Sequence, residues 1–225
     1  MVRSATASGT PDPGSSDRTA VRRLAEKAVH DSAVRNAILD SSRLAHVGVV
    51  DDSTPFVLPV GYGRDGDRVL FHGSTASRLF RTLAAGAPTC FTVTLLDGLV
   101  VARSAFESSM HYRSVMVLGE CQVVRDDEDK LDALRLITEA LMPGRWADVR
   151  APLAKEIAAT LVLALPLDES SVKVSASPPD DPDEDLDAPT WAGVVPLASA
   201  FGNPVDAPDL RVPHAVPDYI RTWTP

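Results

Sequence analysis

The sequence is short of cysteine, aromatics and positive charge. Its 225 residues hold two Cys, 5% aromatic side chains, and 22 Lys+Arg against 31 Asp+Glu, for a formal charge of -9. Two cysteines make neither a disulfide framework nor a four-ligand zinc set. Cys90 in PTCFTV and Cys121 in GECQVV lie in apolar, strand-like contexts, so both read as buried free thiols of a reducing cytoplasm. The acidic balance argues against nucleic acid or an anionic membrane as the main partner, because both need a basic footprint. No apolar run approaches the roughly 20 residues that span a bilayer. The opening MVRSATASGTPDPGSSD lacks the apolar centre of a secretory signal. HExxH and Cys-x-x-Cys spacings are missing, which disfavours a metal centre. So is the G-x-S-x-G elbow of a Ser-His-Asp hydrolase.

What is present is enough apolar sequence, 44%, to bury one core. The length fits one domain with appendages. Residues 1–16 are Ser/Thr/Gly/Pro-rich and predict a disordered tail. From Asp17 the stripe Val21, Leu24, Ala25, Ala28 predicts a helix, and Val34, Ala37, Ile38 continue it after a break. A run of strands follows: 44–50, 56–62 with Pro59 inside it, and 68–72 after the Asp-Gly turn of RDGD. A short helix is expected within 73–86, ended by Gly86. Strands 89–96 and 99–105 are expected to form a hairpin about Asp97-Gly98. Strand 114–125, helix 126–142 and strands 161–167 and 172–177 complete the pattern. Many hairpin-linked strands with few helices predict a mainly β fold, a small barrel with helices packed outside. Residues 17–197 form this domain. The 198–225 segment holds five prolines and is expected to lie irregularly along its own or a partner's surface.

Three segments have chemical potential. In FHGSTASRLFR (71–81), Gly73 allows a tight turn and Ser74 or Thr75 can cap the following helix, whose open N–H groups attract an anion. Ser77 adds a hydroxyl, and Arg78 and Arg81 share a helix face from which either reaches a phosphate. The plainer reading is a capped helix with two solvated arginines, since the Gly-Lys-Ser/Thr ending of a P-loop is absent. In FESSMHYRSVMVLGE (106–120), His111, Tyr112 and Arg113 crowd the entry of a strand. Alternation places Ser114 with Met116 and Leu118 on one face and Val115 with Val117 on the other. A barrel rim with exposed charges is the plainer reading here. In PTWAGVVPL (189–197), Trp191 beside Gly193 can stack on a planar ring or plug one end of the barrel.

In combination and order, HVGVVDDSTPFVLPVGYGRDGDRVLFHGSTASRLFRTL, PTCFTVTLLDGLVVA, HYRSVMVLGE and DAPTWAGVVPL resemble the pyridoxamine 5′-phosphate oxidase-like flavoproteins, and within them the branch of nitroimidazole-resistance proteins. The resemblance covers about residues 25–197. It implies an FMN-binding split β-barrel, a homodimer with FMN in clefts between subunits. It implies a phosphate at Ser77 and Arg78, helped by Ser74 and Thr75, and an isoalloxazine ring along Val57, Leu58 and Pro59. Ser114 is then near the ring's polar edge and His72 at the flavin, with Arg113 bonding the pyrimidine end and Trp191 approaching from the other subunit. Candidate acid groups are His72 and His111, because imidazole titrates near neutrality. The sequence departs from the oxidases proper: Arg78 is followed by Leu79 where they carry Lys, and their C-terminal Arg-x-x-Arg-type pattern has no counterpart, so pyridoxamine phosphate is not the expected substrate.

Three functions follow from these readings. The first is an FMN-dependent reductase of a small electrophile, nitroaromatic or quinone-like. The second is a reductase of the same fold using F420, whose acidic tail needs a basic groove drawn from Arg64, Arg68, Arg78, Arg81 and Lys173. The third is a non-enzymatic flavin or haem protein, with His111 or His214 as the axial ligand.

Overall fold

The computed structural model describes residues 10–212 and 214–224. Nine strands and five helices follow in chain order: α1 (Ser32–Asp40), β1 (Leu44–Asp51), β2 (Thr54–Asp65), β3 (Arg68–Ser74), α2 (Arg78–Ala84), β4 (Pro88–Val101), β5 (Ser109–Glu120), β6 (Gln122–Val124), α3 (Asp127–Leu141), α4 (Ala154–Ala158), β7 (Thr160–Pro166), β8 (Glu169–Ser175), β9 (Gly193–Pro196) and α5 (Asp218–Arg221). The strands form one curled antiparallel sheet in the order β6-β7-β3-β2-β1-β4-β5-β8, with β9 added to β4. The fold is mainly β, as the strand pattern predicts, and it is the split barrel that the family resemblance implies. No helix among the described residues is long and apolar enough to cross a membrane.

Alternation decides which side of the sheet is core. Val47, Val93, Val115, Val117, Leu163 and Leu165 point inward and have no exposed surface. They pack with Ile38 and Leu39 of α1 and Leu79, Phe80 and Leu83 of α2. On the outer face, α3 covers part of the sheet through Ala133 and Ile137 against Leu70, Val162 and Ala164. The Asp126 carboxylate accepts from the N–H groups of Glu128 and Asp129 at 2.9 and 3.2 Å, and three acids fill the first turn of α3. α3 also covers the second half of β2, where Leu141 and Leu136 lie over Gly61 and Gly63, and the outer face of β1, the first half of β2, β4 and β5 is left without a covering helix.

Several expectations are corrected. Residues 1–9 of the expected tail lie outside the described residues, but 10–16 are placed. Gly14 N donates to Ser170 O at 2.7 Å, and His30 Nδ1 is 2.7 Å from Pro13 O. The helix expected from Asp17 does not form. Leu24 takes a left-handed φ of 56°, and Val29 N bonds to Val172 O at 3.1 Å, so pairing with β8 displaces the helix. Asp97-Gly98 is not a hairpin turn. It is an irregularity inside the long β4, and the chain reverses only after Val101. A Cβ on Gly98 would lie 2.9 Å from Val195 O, so this glycine admits the close approach of β9, a strand the sequence pattern does not reveal. Pro59 sits in a central strand, opposite His46. It lies past the last β2–β3 pair, Tyr62–Phe71, so its missing N–H interrupts no ladder on that side. Cys121 is buried and its thiol is pushed up to about 12 by burial, whereas Cys90 is half-buried on the uncovered face. The C-terminal segment is irregular apart from the single-turn α5 and packs on its own chain, with Trp223 Nε1 donating to Pro143 O at 2.9 Å.

Candidate functional site

The sequence-predicted residues fall into two regions at opposite ends of β1. The first is the corner where β1 ends and α2 begins. Ser77 is the N-cap of α2, but its side chain makes no capping bond, and the Ser74 hydroxyl accepts from Ala76 N at 3.1 Å. Arg78 is committed: its Nε donates to Asp51 Oδ2 at 2.6 Å, and its guanidinium lies 4.9 Å from the centre of the Phe56 ring. Arg78 and Arg81 line an open depression of about 570 Å³ with Asp51 and Asp52. Gly73 does not make the expected turn. It lies within β3, and a Cβ there would meet the Phe80 ring at 2.3 Å. The glycine lets α2 dock on the strand.

Val57, Leu58 and Pro59 continue from this corner along β2, and all three are exposed. Val57 reaches 60% exposure, at a level where β2 pairs with β1 alone because its pairing with β3 begins only at Tyr62. His72 follows at the end of β3, one step beyond the Tyr62–Phe71 pair and therefore beside Gly61, where the end of α3 sets Leu141 against the sheet. The imidazole has open surface, yet enough protein lies around it that desolvation lowers its pKa below the ordinary value. The unfolded chain takes up this proton near pH 6.5 and the folded chain only below it, so stability should fall as pH drops from about 6.5 through the lower folded value. An NMR titration of His72 should show a midpoint below 6.5, which a midpoint at or above it would refute.

The second region is a groove of about 750 Å³ between the start of β1, residues 94–97 of β4, Arg113 and residues 197–201. It arises from topology. Along one edge of β4, pairing with β1 stops at Thr92 and pairing with β9 starts at Gly98, so the edge between them stands open. Arg113 forms a two-pronged pair with Asp97, at 2.8 and 2.7 Å, which holds the Asp97 carboxyl below the usual range. Ser114 is opposite Thr94 and Lys173, on the uncovered face.

The sequence profile of the pyridoxamine 5′-phosphate oxidase family matches residues 31–174. The chain belongs to this family. Among solved structures of the fold, the FAD and haem binding protein of Mycobacterium smegmatis is 45% identical, with a TM-score of 0.83 over 87% of this chain and 96% of that one. The flavocytochrome Anf3 of Azotobacter vinelandii is 42% identical, with a TM-score of 0.88 over 95% of this chain and 99% of that one. A Bacteroides thetaiotaomicron protein assigned to 5-nitroimidazole antibiotic resistance shares the fold at 22% identity and a TM-score of 0.56, over 65% of this chain and 86% of that one. No curated protein matches the chain.

The structure ties the Asp51 end of β1 and Phe56 of β2 to Arg78 after the 74–78 turn, with Val57–Pro59 following Phe56 along β2 and His72 on β3 beside Gly61. It leaves Trp191, 64% exposed with its ring over Gly193, and His111, whose Nε2 is 2.8 Å from Ser177 O, on the far side of β4 and β5. His214 is exposed in the C-terminal segment. Of the basic residues considered for an F420 tail, Arg64, Arg68 and Arg78 each pair with an acid, Asp40, Asp65 and Asp51 respectively. Sequence reasoning missed Asp51, Arg43, His46 and Phe201. For His46 a signal existed: alternation in β1 sets it outward with Leu44 and Val50 on a strand whose other face is buried.

Proposed function

We propose that this chain is a redox protein that binds a flavin and haem. The observation that carries this reading is the pair of relatives at 45% and 42% identity, alike over nearly their whole length, that are by name an FAD and haem binding protein and a flavocytochrome. The flavin is then FAD in preference to the FMN that the family resemblance implies, and its substrate class is a small electrophile such as a nitroaromatic or quinone.

The residues fit both groups. Val57, Leu58 and Pro59 offer an exposed apolar edge for a flavin ring, with His72 beside it. Ser77 has an uncommitted hydroxyl at the 74–78 turn, and Ser74, Thr75 and Arg78 complete a phosphate-binding set there. For haem, imidazoles without a protein partner are needed, and His46, His72 and His214 make no hydrogen bond to described residues, unlike His30 and His111. Bound flavin supplies one- and two-electron chemistry and bound haem one-electron chemistry, while the protein positions both and excludes water. Exposed Leu44, Val50, Val57 and Leu96 on the uncovered sheet make an apolar surface suited to a second copy of the chain. In that homodimer Arg113, Ser114 and Trp191 serve the cofactor cleft between subunits.

Arg78 provides the test at the phosphate. Arg78→Ala is expected to weaken flavin binding by about 1.5 kcal/mol, the scale of a charge-assisted hydrogen bond. Asp51→Asn frees the guanidinium and should leave affinity unchanged or tighter. Fluorescence titration of flavin into stripped protein reads both, and an unaltered Kd in Arg78→Ala would remove the phosphate assignment.

A further inference from the structure

We propose that the groove at the start of β1 binds a small aromatic carboxylate, with Arg43 as the group that holds its charge. The inference goes beyond the flavin-and-haem reading and rests on the groove's own walls. Its volume of about 750 Å³ is that of a small-molecule pocket. The lining is divided between apolar and polar side chains. Leu44, Leu96, Leu197 and Phe201 are all exposed along it. Thr94 and Ser199 add hydroxyls that make no hydrogen bond to described residues. A wholly apolar ligand would strand the polar half, and a wholly polar one would leave the apolar half in water. An amphipathic molecule satisfies both.

The sign of the ligand's charge follows from the charges in the lining. The chain as a whole is acidic, with 31 Asp+Glu against 22 Lys+Arg, yet the groove has two arginines, Arg43 and Arg113, and one acid, Asp97. Arg113 and Asp97 cancel, because Asp97 takes both prongs of that guanidinium. Arg43 has no acidic partner among the described residues. Its Nε donates to Leu141 O at 3.3 Å and its Nη2 to Thr224 O at 3.1 Å, and its guanidinium lies 5.0 Å from the centre of the Phe201 ring. An arginine has five N–H donors, so two carbonyls and a ring fix the side chain without neutralising it or exhausting its donors. One net positive charge calls for a monoanion, and a planar guanidinium suits a carboxylate.

The walls are held in place by distant parts of the chain. Leu197 N donates to Asp97 O at 2.9 Å, which ties the segment after β9 to β4. The chain leaves the groove at Phe201 and returns at Trp223, whose ring centre is 5.9 Å from that of Phe201 and whose Nε1 donates to Pro143 O. Cation and aromatic wall therefore stand together before a ligand arrives, and little ordering opposes binding. A ligand ring can pack against Phe201 beside the cation, which selects an aromatic acid. The corner at Asp51 differs, because Arg78 there is already paired with an acid.

The test is calorimetric titration of the full chain with cinnamate and with its neutral amide, cinnamamide. The wild type should bind cinnamate at least tenfold more tightly than the amide. Arg43→Met should erase that preference. An Arg43 that only pins the C-terminal segment would move both affinities together, so the preference is the decisive readout. Leu96→Glu sets an acid on the opposite wall without touching the Arg43 contacts, and should weaken cinnamate binding at least tenfold. Arg113 is shared with the cofactor cleft proposed above, so FAD-loaded and stripped protein are both titrated and should bind cinnamate alike. Equal affinities for acid and amide in the wild type, a preference that persists in Arg43→Met, or an unchanged cinnamate affinity in Leu96→Glu would each overturn the proposal. Loss of cinnamate binding on FAD loading would give the groove to the flavin and overturn it as well.

Discussion

Arg35→Ala is expected to destabilise the fold by about 3 kcal/mol, whereas Arg35→Met should remain within about 1 kcal/mol of the wild type. Arg35 projects from α1 and has no accessible surface. Its Nε donates to Asn36 Oδ1 at 3.1 Å, but the contacts that tie it to other elements are long: 3.4 Å to Leu167 O and to Ser170 Oγ, and 3.5 Å to Asp67 Oδ1. Asp67 is itself 58% exposed, so its carboxylate is well solvated and repays little of the cost of burying a guanidinium. Desolvation dominates and lowers the Arg35 pKa, although the group stays charged. What the side chain contributes is therefore mainly volume, wedged between α1, the β2–β3 turn and the β7–β8 turn. Alanine leaves a cavity and two buried acceptors without a donor. Methionine refills the space and removes a buried charge. Chemical denaturation distinguishes the two outcomes. Equal losses for Ala and Met would show that the hydrogen bonds, and not the volume, hold the three elements together.

The second large effect is expected at Gly73. Gly73→Ala should cost about 3 kcal/mol, the upper end of the range for overpacking. The added carbon would lie 2.3 to 2.8 Å from three atoms of the Phe80 ring, which cannot turn freely because it packs edge-on against Phe71 at 5.8 Å between centres. α2 would be pushed off β3, and the 74–78 turn would move with it. Lost stability should therefore be accompanied by weaker flavin binding. A Phe80→Leu change in the Gly73→Ala background should recover part of both. Melting temperature and flavin Kd measured on the two variants check this, and a Gly73→Ala protein as stable as the wild type would show that Phe80 has room to move.

Four glycines in turn-like sequence contexts show what a sequence discloses and what it hides. Gly66 has a φ of 56° in the two-residue turn between β2 and β3, and Gly86 has a φ of 88° after α2, as their neighbours predict. Gly98 has the same Asp-Gly signature as a turn yet serves a bulge, because the partner that needs the space, β9, arrives from almost a hundred residues away. Gly73 looks like a turn residue and is a packing residue for the same reason. Local chemistry was legible wherever the answer was local: most of the strands, the helix beginning near Asp126, and the placing of Ser114 and Val115 on opposite faces of β5. It failed where a distant segment competes, as at 17–28, where β8 captures the chain before a helix can form. The site follows the same division. The β2 strand and the entry of α2 could be read from one stretch of sequence, whereas His72 came into view through the family resemblance. The groove could not, because it needs the start of β1, a piece of β4 with one open edge and a returning C-terminus that meet only through topology.

The most direct test is the absorption spectrum of the purified protein after reconstitution with FAD and haemin and removal of unbound ligand, with each group then extracted and quantified. The account predicts flavin bands and a Soret band on the same protein, with both cofactors recovered in comparable amounts. A well-folded protein that emerges colourless, retaining neither group, would contradict it.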